Sequence, residues 1–233
     1  MKVWIWFVVL SIGAAGVVQM PASPLDADHP ASVCEQLVIE NATDLESQLT
    51  RVAFPKVMEY YRMLGFPIPP DCSLRMVFQD QIEVDGRTVD HALGIFDRST
   101  TTIYMIHYNS EQFQNCSSLG IGSCEELYFA ILIHEMAHFA NSVVSPGLVI
   151  TIDELIACTV QLSLMDAELR ERILSSTEVK RFRNVRELRI TKYRNHTDNF
   201  ILASYCFSVD RPDMFVRFLK QTNPPLRDQL LFD

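Results

Sequence analysis

Two histidines and a glutamate lie within five positions of an otherwise apolar segment, Ile131–Ala140 (ILIHEMAHFA). His134 and His138 are four residues apart, so on a helix they share one face, with Cβ atoms about 5–6 Å apart. Two imidazoles at that separation can each give a nitrogen to one tetrahedral zinc ion. Glu135 can reach a water molecule held on the metal and take a proton from it. The HExxH spacing therefore predicts a hydrolytic zinc site with Glu135 as general base.

The residues around the motif support this interpretation. They make the helix apolar nearly all round, which predicts that it is buried and holds the ligands rigidly. The alternative is a chance match in a structural helix. In that case both histidines and the glutamate would each need a separate hydrogen-bonding partner inside the core.

A catalytic zinc ion usually has three protein ligands and one open position. The extended pattern HExxHxxGxxH fails here, because Asn141 replaces the glycine and Val144 replaces the last histidine. The other common source is a glutamate on the following helix, and Glu154 stands sixteen positions after the second histidine. Asp153 is the leading substitute ligand. Thr151 and Glu154 also match a capping box, so Glu154 has a second interpretation as a helix cap.

With these residues the chain resembles the gluzincin metallopeptidases, the thermolysin-like zincins. The resemblance covers about residues 74–165: the HEMAH motif, the β-rich stretch before it and the glutamate on the helix behind it. It implies a zincin-like fold, zinc bound by His134, His138 and Glu154, Glu135 as the base, and hydrolysis of peptide bonds. In that family an edge strand beside the motif helix holds the substrate backbone.

The hydrolysis of a peptide bond also needs a group that stabilises the oxyanion. Tyr193, Tyr205 and His196 lie in the C-terminal part of the chain, which closes the cleft in the family that this sequence resembles. All three are candidates for oxyanion or substrate contacts.

The elements that must position the site follow from hydrophobic periodicity. Apolar residues spaced by three and four predict an amphipathic helix over Asp44–Leu64, with Pro55 as a potential kink. Three β-like runs between about residues 74 and 108 predict a small sheet, with the last two runs joined as a hairpin by DRST.

Helices dominate the rest of the sequence. Ser123 and Glu126 match a capping box that would open the motif helix, which runs to about Val144 and ends at Ser-Pro-Gly. A second helix is predicted from about Thr151 through residue 174, and further helices follow, one of them with Pro212 in its first turn. The fold class is therefore α+β: a small mixed sheet packed on the motif helix, followed by a helical C-terminal lobe.

The N-terminus has the pattern of an export signal. Lys2 precedes an apolar run that extends to Val18, which predicts a signal peptide over residues 1–22. An uncleaved membrane anchor is the alternative, although the run is short for a span of about 20 residues. Residues 23–40 are predicted to be a flexible leader. Residues 41–233 then form one domain, with the sheet and motif helix in 41–145 and the helical lobe in 146–233.

Charge and composition limit the partners. The formal net charge of −9 gives the chain no electrostatic reason to bind nucleic acid, or a membrane once the signal is cleaved. We expect a secreted or periplasmic protein whose partner is a peptide or protein substrate. The six cysteines of a chain with an apparent export signal predict disulfides. The suggested pairs are Cys34–Cys72, Cys116–Cys124 and Cys158–Cys206.

Three functional interpretations follow. The first is an exported zinc metallopeptidase, and the second is a zincin-like binding domain that keeps zinc without catalysis. Glu135 argues against the second, because a pure binding domain has no use for a base beside the metal. The third is a disulfide-braced structural protein without metal.

Overall fold

The computed structural model describes residues 36–182, 187, 189, 191, 193 and 196–220, so the predicted signal peptide lies outside the described residues. The helices are α1 (Asp44–Met63), α2 (Glu111–Gln114), α3 (Glu125–Val144), α4 (Ile150–Leu164), α5 (Ala167–Ser175), α6 (Thr197–Asp210) and α7 (Pro212–Lys220). The strands are β1 (Gln36–Glu40), β2 (Ser73–Gln79), β3 (Glu83–Val84), β4 (Arg87–Thr88), β5 (Gly94–Asp97), β6 (Thr102–Ile106), β7 (Ser117–Ser118) and β8 (Ile121–Gly122). This order confirms the α+β class, with a small mixed sheet and a helical lobe.

The principal sheet has four strands in the order β1-β2-β6-β5. β1, β2 and β6 are parallel, and β5 runs antiparallel to β6. The predicted hairpin is therefore confirmed, with Gly94 opposite Met105 and Asp97 opposite Thr102. β5 is an edge strand and packs against α3, so the sheet places its open edge beside the HExxH helix.

The flexible leader was predicted to extend to residue 40, but its last five residues belong to a strand. Residues 36–40 form β1, which pairs in parallel with β2 from Gln36 opposite Ser73 to Glu40 opposite Val77. Leu37 and Ile39 pack against the core. A five-residue strand gives a weak sequence signal, because its pairing partner lies more than thirty residues away.

Helix α1 confirms the predicted amphipathic helix. Thr43 and Glu46 form a capping box at its start: the Thr43 hydroxyl accepts from the Glu46 N–H, and the Glu46 carboxylate accepts from the Thr43 N–H. The helix continues through Pro55, although proline removes one backbone hydrogen bond. Phe54 and Val57 are fully buried on either side of it, so core packing holds the helix together.

Helix α3 is the central helix of the core. It packs against α1, α4 and β5, and it buries Leu132, Met136 and Phe139 completely. By length and composition alone it could cross a membrane, but 72% of its most apolar window is buried within the fold. Its apolar character is therefore that of a core helix, as the sequence predicts.

Two predicted helix boundaries were wrong. The N-cap of α3 is Cys124, without a side-chain cap, because the Ser123 hydroxyl donates to the Gln114 carbonyl instead. The long helix predicted from Thr151 divides at residues 165–166, where the Asp166 carboxylate accepts from the Leu169 N–H and starts α5. A side chain that caps one helix thereby ends the one before it. The predicted α7, with Pro212 as its first residue, is confirmed.

The two predicted cysteine pairs within the described residues are not formed, and Cys34 lies outside those residues. Cys116 and Cys124 are free thiols flanking the β7–β8 hairpin. That hairpin pairs Ser117 with Gly122, so Cys124 stands one residue out of register with Cys116.

Cys158 and Cys206 are also free thiols, although their helices α4 and α6 pack together. Cys158 lies among carboxylates that include Glu154 and Asp198, whereas Cys206 lies near Asp210 at the other end of α6. Helix contact alone does not bring two cysteines onto facing positions.

The β7–β8 hairpin is held to α6 by a buried carboxylate. Leu119 and Gly120 occupy its turn with φ of 53° and 69°, and Leu119 is buried despite this unfavourable backbone region. The Ser118 hydroxyl donates to Asp198 Oδ1 at 3.3 Å, and the Leu119 N–H also donates to this carboxylate. The other oxygen of Asp198 is buried without a partner. Burial raises the pKa of Asp198 to about 7.

This carboxylate should make stability depend on pH. The folded chain holds the Asp198 proton up to about pH 7, whereas the unfolded chain releases it near its ordinary pKa of about 4. The Asp198 contribution to the free energy of unfolding is therefore largest at acidic pH, and it falls as pH rises from about 4 to about 7. We expect Asp198→Asn to be more stable than wild type at pH 8, by about 1–3 kcal/mol. Urea unfolding at pH 4 and pH 8 measures this, and an equal difference at both pH values would contradict it.

Candidate metal centre

The HExxH histidines face each other on the buried helix α3. His134 Nε2 and His138 Nε2 are 3.1 Å apart, and both side chains are about nine-tenths buried. The i, i+4 spacing on a helix accounts for this approach, as the sequence predicts. The two imidazole edges converge on one point.

Partners on α4 fix the tautomer of both rings. His134 Nδ1 lies 3.2 Å from Gln161 Oε1, and His138 Nδ1 lies 3.0 Å from Asp153 Oδ2. Both partners are acceptors with the amide of Gln161 in this orientation, so each Nδ1 carries the proton and donates it. In the neutral form of each ring, Nε2 then carries a lone pair that faces the other ring. A ligating histidine commonly has this arrangement, with its second nitrogen donating to a carboxylate or amide oxygen.

Glu154 completes the arrangement from the neighbouring helix. Its Oε2 lies 3.4 Å from His134 Nε2 and 3.6 Å from His138 Nε2, and it is buried without a hydrogen-bond partner. Zinc–ligand bonds of about 2.0–2.1 Å at tetrahedral angles put ligand atoms about 3.3 Å apart. The three separations here, 3.1, 3.4 and 3.6 Å, match one face of that tetrahedron. The residues present therefore fit a metal ion.

The capping alternative for Glu154 is wrong. Helix α4 begins at Ile150 with Val149 as its N-cap and no side-chain cap, so Thr151 already lies inside the helix. The Glu154 carboxylate points at the imidazoles instead. Within the described part of the chain, His134, His138 and Glu154 are the one group of such side chains that could hold a metal ion.

Asp153, the substitute ligand considered from the sequence, lies behind His138. Its Oδ2 accepts from His138 Nδ1 and from Arg98 Nη2 at 2.5 Å, and its Oδ1 accepts from Asn141 Nδ2 at 2.8 Å. The Tyr61 hydroxyl in turn donates to Asn141 Oδ1 at 2.5 Å. Both oxygens of Asp153 are thus occupied by donors, which leaves Glu154 as the carboxylate that faces the metal position.

Buried charge shifts the pKa values at the site. Burial by itself would raise the pKa of Glu154, but His138 and His134 outweigh it and lower the pKa to about 2. Burial by itself would lower the pKa of His138, but Asp153 and Glu154 outweigh it and raise the pKa well above the usual value. A metal ion and the His138 proton compete for one lone pair, so metal affinity should fall as the pH decreases through this raised pKa.

Glu135 lies beside this cluster and faces a cavity. Burial raises the pKa of its carboxyl, and the neighbouring histidines offset only part of that effect. Gly94 on strand β5 packs directly on this side chain. A Cβ at Gly94 would come 2.6 Å from Glu135 Cγ, so only glycine permits this approach of strand and helix.

The cavity has a volume of about 320 Å³, and both Glu135 and His134 line it. Apolar side chains of Leu93, Ile131 and Ile201 form part of its wall. The remaining lining residues are His91, Gly94, Gln112, Asn115, Cys116, Ser117, Ser118, His134, Glu135, Gln161 and Tyr193. Of the three candidate metal ligands only His134 lines the cavity, so a ligand there would contact His134 and Glu135 together.

The structure brings one of the three predicted oxyanion candidates to the site. Tyr193 lines the cavity, and its hydroxyl contacts Glu154; burial and this carboxylate raise its pKa well above the usual value. His196 is exposed at the start of α6, and Tyr205 stacks under Arg170; neither lines the cavity. The structure does not bring these two residues to the cavity, because sequence position in the C-terminal part does not fix which face points inward.

Comparison with known proteins identifies a family whose function is not known. Residues 66–222 match the family described as a family of unknown function, DUF6639. The chain belongs to this family. The match includes α3, α4 and Tyr193, so the whole metal centre lies within the shared region. No curated protein and no solved structure was found to be similar to it.

Sequence analysis missed several residues of the site. Asn141 lies three positions after His138 and Gln161 lies seven after Glu154, so helical periodicity could have placed them on the faces of the ligands. Arg98 and His91 lie in loops that flank β5, where no local pattern indicates their neighbours.

The ligand assignment predicts opposite results for adjacent residues. We expect Glu154→Ala to lose bound zinc, because it removes one of three converging donors. Asp153→Ala should still bind one equivalent at saturating zinc, with lower affinity, because it removes only the support of His138. Metal content after dialysis against zinc, measured by mass spectrometry on folded protein, tests this. The reverse pattern would show that Asp153 is the ligand.

Proposed function

We propose that this protein is a zinc metallopeptidase with a zincin-like fold of the gluzincin type. The observation that carries the proposal is the convergence of His134 Nε2, His138 Nε2 and Glu154 Oε2 beside a cavity that also contains Glu135. Three protein ligands with an open fourth position are typical of catalytic rather than structural zinc sites.

Zinc suits this donor set because two imidazoles and one carboxylate at tetrahedral spacing are common ligands of that ion. When bound, zinc supplies a Lewis acid that polarises a substrate carbonyl and lowers the pKa of a water molecule. The chain supplies the remaining chemistry through residues around the cavity.

Glu135 acts as the general base. Burial moves the pKa of its carboxyl upward, which is the direction a general base needs, since a base works best when its pKa approaches the working pH. The carboxylate accepts a proton from the attacking water and passes it to the leaving amine. Gly94 keeps β5 close to this side chain, so a peptide added along the edge of β5 would lie with its scissile bond near Glu135.

Tyr193 supports the oxyanion. Its hydroxyl stays protonated across the physiological range because its pKa is raised, and it lines the same cavity as Glu135. The phenol can turn its one hydrogen bond from Glu154 to the negative oxygen that develops on the carbonyl.

The central test is Glu135→Gln. We expect this variant to keep its zinc and to lose peptidase activity about 10²–10⁴-fold, because the amide cannot take the proton. A mixed peptide library with mass-spectrometric detection measures cleavage, and Glu126→Gln on the exposed first turn of α3 is the matched control. Zinc without cleavage in wild type would support the non-catalytic binding domain, and wild type without zinc would contradict both functions.

Tyr193→Phe tests the oxyanion contact. The variant removes one hydroxyl, so we expect kcat to fall about 10²-fold with little change in KM, because the contact forms mainly in the transition state. Tyr205→Phe is the control, since Tyr205 does not line the cavity. Equal effects of the two substitutions, or a change confined to KM, would remove Tyr193 from the mechanism.

A further inference from the structure

Arg98 reaches the metal centre from the turn between β5 and β6. This turn is tied together by Asp97, whose carboxylate accepts from the Ser99 N–H at 2.9 Å, the Ser99 hydroxyl at 2.8 Å and the Thr100 hydroxyl at 2.6 Å. Burial works against the ionised carboxyl, but these hydrogen bonds lower the pKa of Asp97. The turn is thus a rigid base for the Arg98 side chain.

The Arg98 guanidinium contacts the carboxylate of Asp153, which also accepts a hydrogen bond from the candidate metal ligand His138. Its Nη2 lies 2.5 Å from Asp153 Oδ2, the same oxygen that accepts from His138 Nδ1 at 3.0 Å. The Arg98 side chain is 39% exposed, whereas the Asp153 side chain is only 7% exposed. Exposed ion pairs contribute little to stability. Because Asp153 is buried, however, the loss of Arg98 would leave the negative charge of its carboxylate uncompensated.

The balance of charge at the site gives a physical reason for the contact between Arg98 and Asp153. The buried carboxylates of Glu135, Asp153 and Glu154 bring three negative charges to the site. A divalent cation bound there would compensate two of them, and Arg98 lies on the carboxylate that carries the third. With Arg98 and Asn141 on its oxygens, Asp153 is held as an acceptor for His138 and kept away from the metal position.

We propose that Arg98 is a positioning residue of the metal centre, which acts through Asp153 to orient His138. The proposal rests on the metal centre of the proposed function but not on the peptidase reaction. It also links the sheet to the ligand helices, because the turn that carries Arg98 joins the two strands nearest to α3.

The test is a cycle of zinc dissociation constants, measured by competition with a chromogenic chelator on purified full-length protein. We expect Arg98→Gln to weaken zinc binding about 10–100-fold, as loss of a partner behind a ligand typically does. Arg98→Lys should recover part of this loss, because it keeps the charge but not the planar fork. Arg75→Gln, which breaks an exposed pair with Glu40, is the matched control and should leave affinity unchanged.

The double variant separates positioning from a general effect. If Arg98 acts through Asp153, Arg98→Gln combined with Asp153→Asn should bind zinc no more weakly than Asp153→Asn alone. Additive losses, or an Arg98→Gln affinity equal to wild type, would overturn the proposal while the metal centre stands. Wild type without zinc affinity would overturn the metal centre as well. Circular dichroism of the metal-free variants checks folding, and Arg98→Lys carries the test if Arg98→Gln is unfolded.

Discussion

The constraint on which the structure depends is the burial of three electron-pair donors at one point. With both imidazoles donating from Nδ1, His134 Nε2, His138 Nε2 and Glu154 Oε2 face one another at 3.1–3.6 Å. Lone pairs so placed repel, and burial denies them water, so the arrangement needs a positive charge between them, either a metal ion or the proton that His138 holds when its pKa is raised. Much of the surrounding structure serves to keep these atoms in place.

Both the helices and the sheet help to hold the three donor atoms in place. Helices α3 and α4 carry the donors and pack directly on each other, while α1 supplies Tyr61 behind Asn141 and the β5–β6 turn supplies Arg98 behind Asp153. Strand β5 presses Gly94 against Glu135, and the segment before α6 contributes Tyr193 to the cavity. The cavity thus adjoins His134 on the side where the chain places the Glu135 carboxylate.

The sequence allowed the α+β class and the motif helix to be predicted, because helical periodicity and the HExxH spacing are local signals. From the sequence, Glu154 had two possible roles, as a metal ligand and as a helix cap. The start of α4 at Ile150 excludes the role as a cap. Two predicted disulfide pairs are not formed, and His196 and Tyr205 do not line the cavity, for a related reason. Each of those predictions required knowing which faces of distant elements meet, and tertiary packing rather than local pattern determines that. The contact between Arg98 and Asp153 could not be predicted for the same reason, because it joins a turn of the sheet to a distant helix.

The most direct test of the central claim is X-ray absorption at the zinc edge on the zinc-loaded protein. The account predicts two imidazole nitrogens and one or two oxygens at about 2.0–2.1 Å, with no sulfur ligand. In Glu154→Ala the protein should show no ordered zinc. A spectrum with sulfur at about 2.3 Å, or with no imidazole scattering, would contradict the account.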